Sequence, residues 1–267
     1  MTGGKRSALL VGLLLAAAPS LAQVPPASPA PSAAPAKKAP RLDARLTGAF
    51  GLIKAGRHAE ARKVAEAYLA SGDASHPGQA QFILGLSYHR ERLYERARDH
   101  FARAVELEPD YVTAYFFYGF TLFNLGRLDE ARQAFEKYVA EGPEEAEAIF
   151  GLGLVALEQD RVDDAERSFL RAIALAQARA PGPVISGDAR EDLARYHARL
   201  ADVYLRRDDL PRARAALERS VELWPEHFEP WHKLARVLRR LGDAAGADRA
   251  QARSDEAFRR RTALGQP

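Results

Sequence analysis

The sequence contains no cysteine. This excludes disulfide staples, thiol catalysis and thiolate metal sites, and with them the lipidated cysteine of a bacterial lipoprotein. Long apolar runs are also missing. The stretch Ala8–Ala18 spans about eleven residues, short of the ~20 that a membrane-crossing helix needs, and no later segment does better. Val, Ile and Thr are sparse, whereas Ala, Leu, Arg and Glu dominate; that balance of helix formers predicts an all-α chain.

A basic excess within the folded part is missing as well. The 267 residues carry a net charge of +3, yet Lys5, Arg6, Lys37 and Lys38 stand in the first forty positions without an acid. Removing those four from the 39 cations leaves 35 against 36 acids, a net of −1 from Arg41 onward. A nucleic-acid binder carries its basic excess inside the folded domain, so no nucleic-acid partner is expected. Enzyme signatures are absent too: no phosphate-binding loop, dinucleotide fingerprint, nucleophile elbow or HExxH. No enzymatic activity, cofactor or metal is therefore expected. His227 and His232 lie five apart, on different faces of a helix. The cluster Glu144, Glu145, Glu147 opens a helix, and the run Arg259–Arg261 closes one; both suit the helix dipole better than a reactive site.

Residues 1–22 read as an export signal. Lys5 and Arg6 precede the short apolar run, and Ser20 and Ala22 provide small residues before a cleavage point at Gln23. The expected location is periplasmic or secreted, the alternative being an inner-membrane tether by an uncleaved signal. Residues 23–40, with six prolines among Ala and Ser, read as a disordered, polyproline-like linker.

From residue 41 to 267 the chain repeats itself. Gly85, Gly119 and Gly153 are 34 apart, as are Ala97, Ala131 and Ala165, and Phe101, Phe135 and Phe169. Pro109 and Pro143 keep the same interval; Pro225 follows 82 residues later, two periods and fourteen extra residues on. Ala213 and Ala247 then resume the period. These residues resemble the tetratricopeptide-repeat pattern, which implies two antiparallel helices per unit and a right-handed superhelical solenoid. Six units follow: 42–75, 78–111, 112–145, 146–179, 194–227 and 228–261, with a loop insertion at 180–193. In this register Gly85 is position 8, Ala97 position 20, Phe101 position 24 and Pro109 position 32.

Small residues at positions 8 and 20 allow close approach of the paired helices, and the aromatic at position 24 fills the wedge beside the next unit. Gly126 and Gly242 suit the turn inside a unit, Asp129 an N-cap, and Pro211 a helix entry. Gln251 and Ser254 read as the polar face of a capping last helix.

The resemblance also implies a concave groove lined by first-helix positions. Positions 5, 9 and 12 are Leu46, Phe50 and Ile53 in unit 1; Phe82, Leu86 and His89 in unit 2; Phe116, Phe120 and Phe123 in unit 3; Phe150, Leu154 and Leu157 in unit 4. Unit 6 supplies His232, Arg236 and Arg239. The expectation is a groove apolar over units 1–4 and basic over units 5–6, suited to an apolar helix or peptide with acids at one end. The Lys and Asn with which some relatives clamp a chain terminus are replaced here: Phe82, Phe116 and Phe150 hold position 5. The implied function is a non-catalytic adaptor that binds a protein or peptide partner in an envelope, secretion or pilus assembly, with possible peripheral contact to a membrane complex. The alternatives are a periplasmic chaperone, or an accessory subunit of an enzyme complex such as cytochrome maturation.

Overall fold

A computed structural model describes residues 42–72, 74–179 and 187–263. The expected signal (1–22) and linker (23–40) lie outside the described residues.

Twelve helices, and among the described residues no strand, are arranged as six antiparallel hairpins. They are α1 (Ala44–Lys54) with α2 (His58–Ala70), α3 (Pro77–Arg90) with α4 (Tyr94–Leu107), and α5 (Thr113–Asn124) with α6 (Leu128–Glu141). Then come α7 (Ala146–Glu158) with α8 (Val162–Arg179), α9 (Gly187–Arg206) with α10 (Leu210–Leu223), and α11 (Phe228–Arg240) with α12 (Ala244–Ala263). Each hairpin packs on the next, and α1, α3, α5, α7 and α9 touch in succession. The stack is a right-handed superhelical solenoid, with the first helices forming a continuous row on its inner face.

One backbone device ends every first helix. Position 15 is left-handed in all six units: Gly56, Arg92, Gly126, Asp160, Asp208 and Gly242. In each, the next N–H donates back to the carbonyl five residues earlier, from Arg57 to Leu52 (2.9 Å) through Asp243 to Leu238 (3.0 Å). This satisfies a carbonyl that the helix end leaves open and reverses the chain. Gly126 and Gly242 take the expected place, and three non-glycine residues share it.

Close approach is equally regular. Position 20 is Ala61, Ala97, Ala131, Ala165, Ala213 and Ala247, every one fully buried. Phe101, Phe135 and Phe169 are fully buried at position 24. Their neighbours are the glycines at position 8: a Cβ on Gly85 or Gly119 would lie 2.8 Å from the ring of Phe101 or Phe135.

Several expectations need correction. The insertion 180–193 is a loop only in part: α9 begins at Gly187, and Leu193 is buried in the core, so the second half of the insertion lengthens the helix. Residues 180–186 lie outside the described residues. Asp129 does not cap α6. Arg127 stands at the N-cap and caps no backbone N–H with its side chain, which pairs with Glu130 (2.6 Å), and Asp129 instead accepts from Gln159 Nε2 at 2.9 Å. Ser254 is interior rather than an outer polar residue; its hydroxyl donates to the Phe228 carbonyl (3.1 Å), as Ser220 does to Ala194 (2.8 Å) one unit earlier. A buried hydroxyl is tolerated because it is hydrogen-bonded. Pro211 does stand in the first turn of α10, behind Asp209, which accepts from Arg212 N–H.

Candidate binding groove

The inner face is built from the row of first helices, and its chemistry divides into three parts. Over units 1–3, Phe50 of α1, Leu86 of α3 and Phe117 of α5 floor a hollow of about 400 Å³. Lys54 and Arg90 stand on its rim, each one helical turn beyond a floor residue. The Lys54 ammonium lies 5.1 Å from the Phe50 ring centroid, within cation–π range.

The middle part is α5, whose sequence TAYFFYGFTLFN is apolar almost all round. A helix of that kind is normally buried on every side. Here Phe116, Phe117, Phe120 and Phe123 are only half-buried. Phe116 packs edge-on against Phe120 (5.1 Å), and Phe120 against Phe135 (4.9 Å).

The third part, over units 4–6, is a lattice of ion pairs. Arg195 of α9 pairs with Glu147 of α7 (3.1 Å) and with Asp192 (2.5 Å), and Tyr196 donates to Glu147 (2.8 Å). Burial and the Glu147 charge push the Tyr196 phenol above its ordinary pKa. Asp202 receives both Lys233 (2.5 Å) and Arg199 (3.2 Å). Arg206 reaches Asp160 at 2.7 Å, and Arg240 reaches Asp208. The acids consume most of the positive charge.

Six of the anticipated groove residues are core residues instead. Leu46, Ile53, Phe82, Leu86, Phe150 and Leu157 are all 5% exposed or less. Phe82 shows why: it is wedged among Phe101 of α4 (6.0 Å), Tyr111 of the α4–α5 connection (5.3 Å) and Phe117 of α5 (5.6 Å). Positions 5 and 12 are therefore largely covered by neighbouring helices, and Leu86 and Ile53 meet the groove only as floor. Phe50, Phe116, Phe120, Phe123 and Leu154 retain partial access.

His89 is half-buried and spans two units. Thr121 Oγ1 donates to the Phe117 carbonyl (2.8 Å) and so accepts from His89 Nδ1 (2.8 Å), which assigns the proton to Nδ1. Burial pulls the His89 pKa down to about 4. His232, Arg236 and Arg239 are exposed, and of these only Arg239 has an acid near it, Asp248 at 3.9 Å; the cations that the acids neutralise are their neighbours Arg195, Arg199, Arg206, Lys233 and Arg240.

The residues missed were Phe117, Lys54 and Arg90. For the two cations the signal lay in the helical period: a groove row at position 9 has its same-face neighbours four residues on, at position 13. Position 13 reads Lys54, Arg90, Asn124, Glu158, Arg206 and Arg240.

Among the described residues, no group of His, Asp and Glu is arranged to hold a metal, and no helix is long and apolar enough to cross a membrane. Tetratricopeptide-repeat profiles match residues 51–112, 92–145, 119–183 and 194–237. No curated protein matches the chain in sequence. Among solved structures, PilW, described as a widely conserved type IV pilus biogenesis factor, is similar over 80% of this chain and 92% of its own, with 19% identity and a TM-score of 0.64. PilF of Pseudomonas aeruginosa is similar over 78% of this chain and 87% of its own, with 18% identity and a TM-score of 0.63. YrrB, described as having an unusual peptide-binding site, covers 72% of this chain and 93% of its own, at 20% identity and a TM-score of 0.52.

Proposed function

The chain belongs to the tetratricopeptide-repeat family, and on that premise we propose that it is an exported adaptor that binds a partner protein along the inner face of units 1–4. The observation that carries the reading is α5, an apolar helix whose four phenylalanines remain half-exposed on or beside the row of first helices. Aromatic side chains bury much area at little entropic cost, which makes such a row a good anchor for a partner. Beside them the hollow over α1, α3 and α5 has room for one or two side chains of that partner.

The partner belongs to an envelope, secretion or pilus assembly. The charged and apolar N-terminal pattern of residues 1–22 supports export. The likeness to PilW and PilF over most of the chain supports the assembly setting by analogy of fold. Any contact with a membrane is through that partner. The family is typically one of non-catalytic interaction modules, and the adaptor is read the same way.

The test is capture from an envelope extract by residues 41–267, comparing wild type with Phe50→Ser/Phe120→Ser. Helical circular dichroism must be retained by the variant. One dominant protein lost in the variant is the expected result. A broad set of unfolded clients would instead favour a chaperone, and an unchanged set would move the site off this face.

A further inference from the structure

The two rim cations of the hollow differ from the rest of the inner face. Lys54 and Arg90 are exposed, and among the described residues neither has an ion-pair partner. The nearest acids in sequence are engaged elsewhere: Glu60 with Arg57 (2.5 Å) and Glu91 with Arg62 (2.8 Å). The basic residues at the other end are mostly bound by acids of adjacent helices, as described above. Lys54 and Arg90 thus place two uncommitted cations beside the apolar hollow, whereas at the far end Arg236 is exposed without an ion-pair partner among the described residues and Arg239 reaches only Asp248, at 3.9 Å.

We propose that this hollow takes an extended peptide segment in which a large apolar side chain is flanked by acidic ones. The proposal rests on the reading of the inner face as a partner groove and names the chemistry of that partner. A chain crossing the first helices that drops one side chain onto Phe50, Leu86 and Phe117 turns the two flanking side chains away from the floor, where the long, exposed side chains of Lys54 and Arg90 reach up to meet them. Residues two apart in such a chain are ~6.7 Å apart. Adjacent packed helices are ~8–10 Å apart. Lys54 and Arg90 side chains are long enough to take up the difference. Carboxylates at those two places meet cations that have no competing acid, and the apolar residue between them leaves water. The occupant is an acidic segment, not the chain's own residues 23–40, which carry Lys37 and Lys38 and no acid.

The test is fluorescence anisotropy with a fluorescein-labelled, C-terminally amidated peptide Gly-Asp-Phe-Glu-Leu-Asp-Gly, so that only side-chain carboxylates contribute. Its comparators replace the acids by amides, by lysines, or the two apolar residues by alanine. The acidic peptide should bind wild type on the order of tenfold more tightly than the amide version, and more weakly as salt rises. Lys54→Glu/Arg90→Glu should lose the acidic peptide and gain the lysine version. Both positions are exposed, and circular dichroism verifies that the variant folds.

Equal binding of acidic and amide peptides would overturn the charge assignment while leaving the groove reading intact. Loss of binding in Arg236→Glu but not in the Lys54/Arg90 variant would overturn the location. If no peptide binds while Phe50→Ser/Phe120→Ser still loses its extract partner, the proposal fails and the groove reading stands. If that variant loses nothing either, both fail.

Discussion

Gly153 lies directly under the ring of Phe169: a Cβ on the glycine would sit 2.5 Å from Phe169 Cε1. The same pairing joins Gly85 to Phe101 and Gly119 to Phe135. Where the position-8 residue is alanine, position 24 is not phenylalanine: the register pairs Ala49 with Ala65, Ala201 with Leu217, and Ala235 with Gln251. The two positions share one volume, divided differently from unit to unit.

Gly153→Ala should therefore destabilise the protein by about 1–3 kcal/mol through overpacking, despite the better helix propensity of alanine. Adding Phe169→Leu recreates the combination that unit 5 carries. The double variant should be less destabilised than the sum of the singles, a coupling that urea midpoints in a double-mutant cycle would measure. Simple additivity would mean that the ring does not touch position 8.

Position 15 pits strain against charge. Arg92 holds φ 62° without an ion pair, Asp160 holds φ 57° while binding Arg206. A non-glycine residue there costs ~1 kcal/mol or more, somewhat less for Asp, whereas an exposed pair is worth ~0–1 kcal/mol. Arg92→Gly should raise stability by about 0.5–1 kcal/mol, and Asp160→Gly should leave it nearly unchanged. Thermal and urea midpoints check both; a loss for Arg92→Gly would place that side chain in an interaction worth more than the strain.

Acid should loosen the stack through two histidines. Burial depresses His89 and His197 from 6.5 to about 4. Between those values the unfolded chain binds protons that the folded one refuses, so stability rises with pH there and is lost as pH falls from 6.5 toward 4. The loss should reach about 3 kcal/mol for each residue. A urea midpoint that falls over this window in wild type, and falls less in His89→Gln/His197→Gln, is the expected outcome. Identical pH profiles would remove the histidines as the cause.

Position 20 tolerates no bulk. Ala131 is fully buried between its paired helices, and Ala131→Trp should abolish cooperative unfolding of the middle units, since overpacking a close helix contact costs ~3 kcal/mol or more. A native-like circular dichroism melt would refute the register of the repeat.

The 34-residue recurrence of Gly, Ala and Phe determined the helix hairpins, their number, and the stacking of one on the next. Those features rest on contacts within a unit or between adjacent units, repeated at a constant offset, so a single chain displays them as a period. The insertion after Arg179 was visible as a break in that period, but α9 starts inside it at Gly187 because Leu193 finds a core to enter. The same limit governs the groove. Phe82 and Phe120 are both aromatics on first helices, yet one is sealed by Tyr111 and Phe117 and the other stays half-open. Arg195 and Arg90 are both cations facing the same side, yet Glu147, 48 residues away, neutralises only the first. Local pattern decides which face of a helix is apolar or charged. Whether that face is covered or its charge is spent depends on neighbours that stacking brings together, and only the tertiary structure decided that.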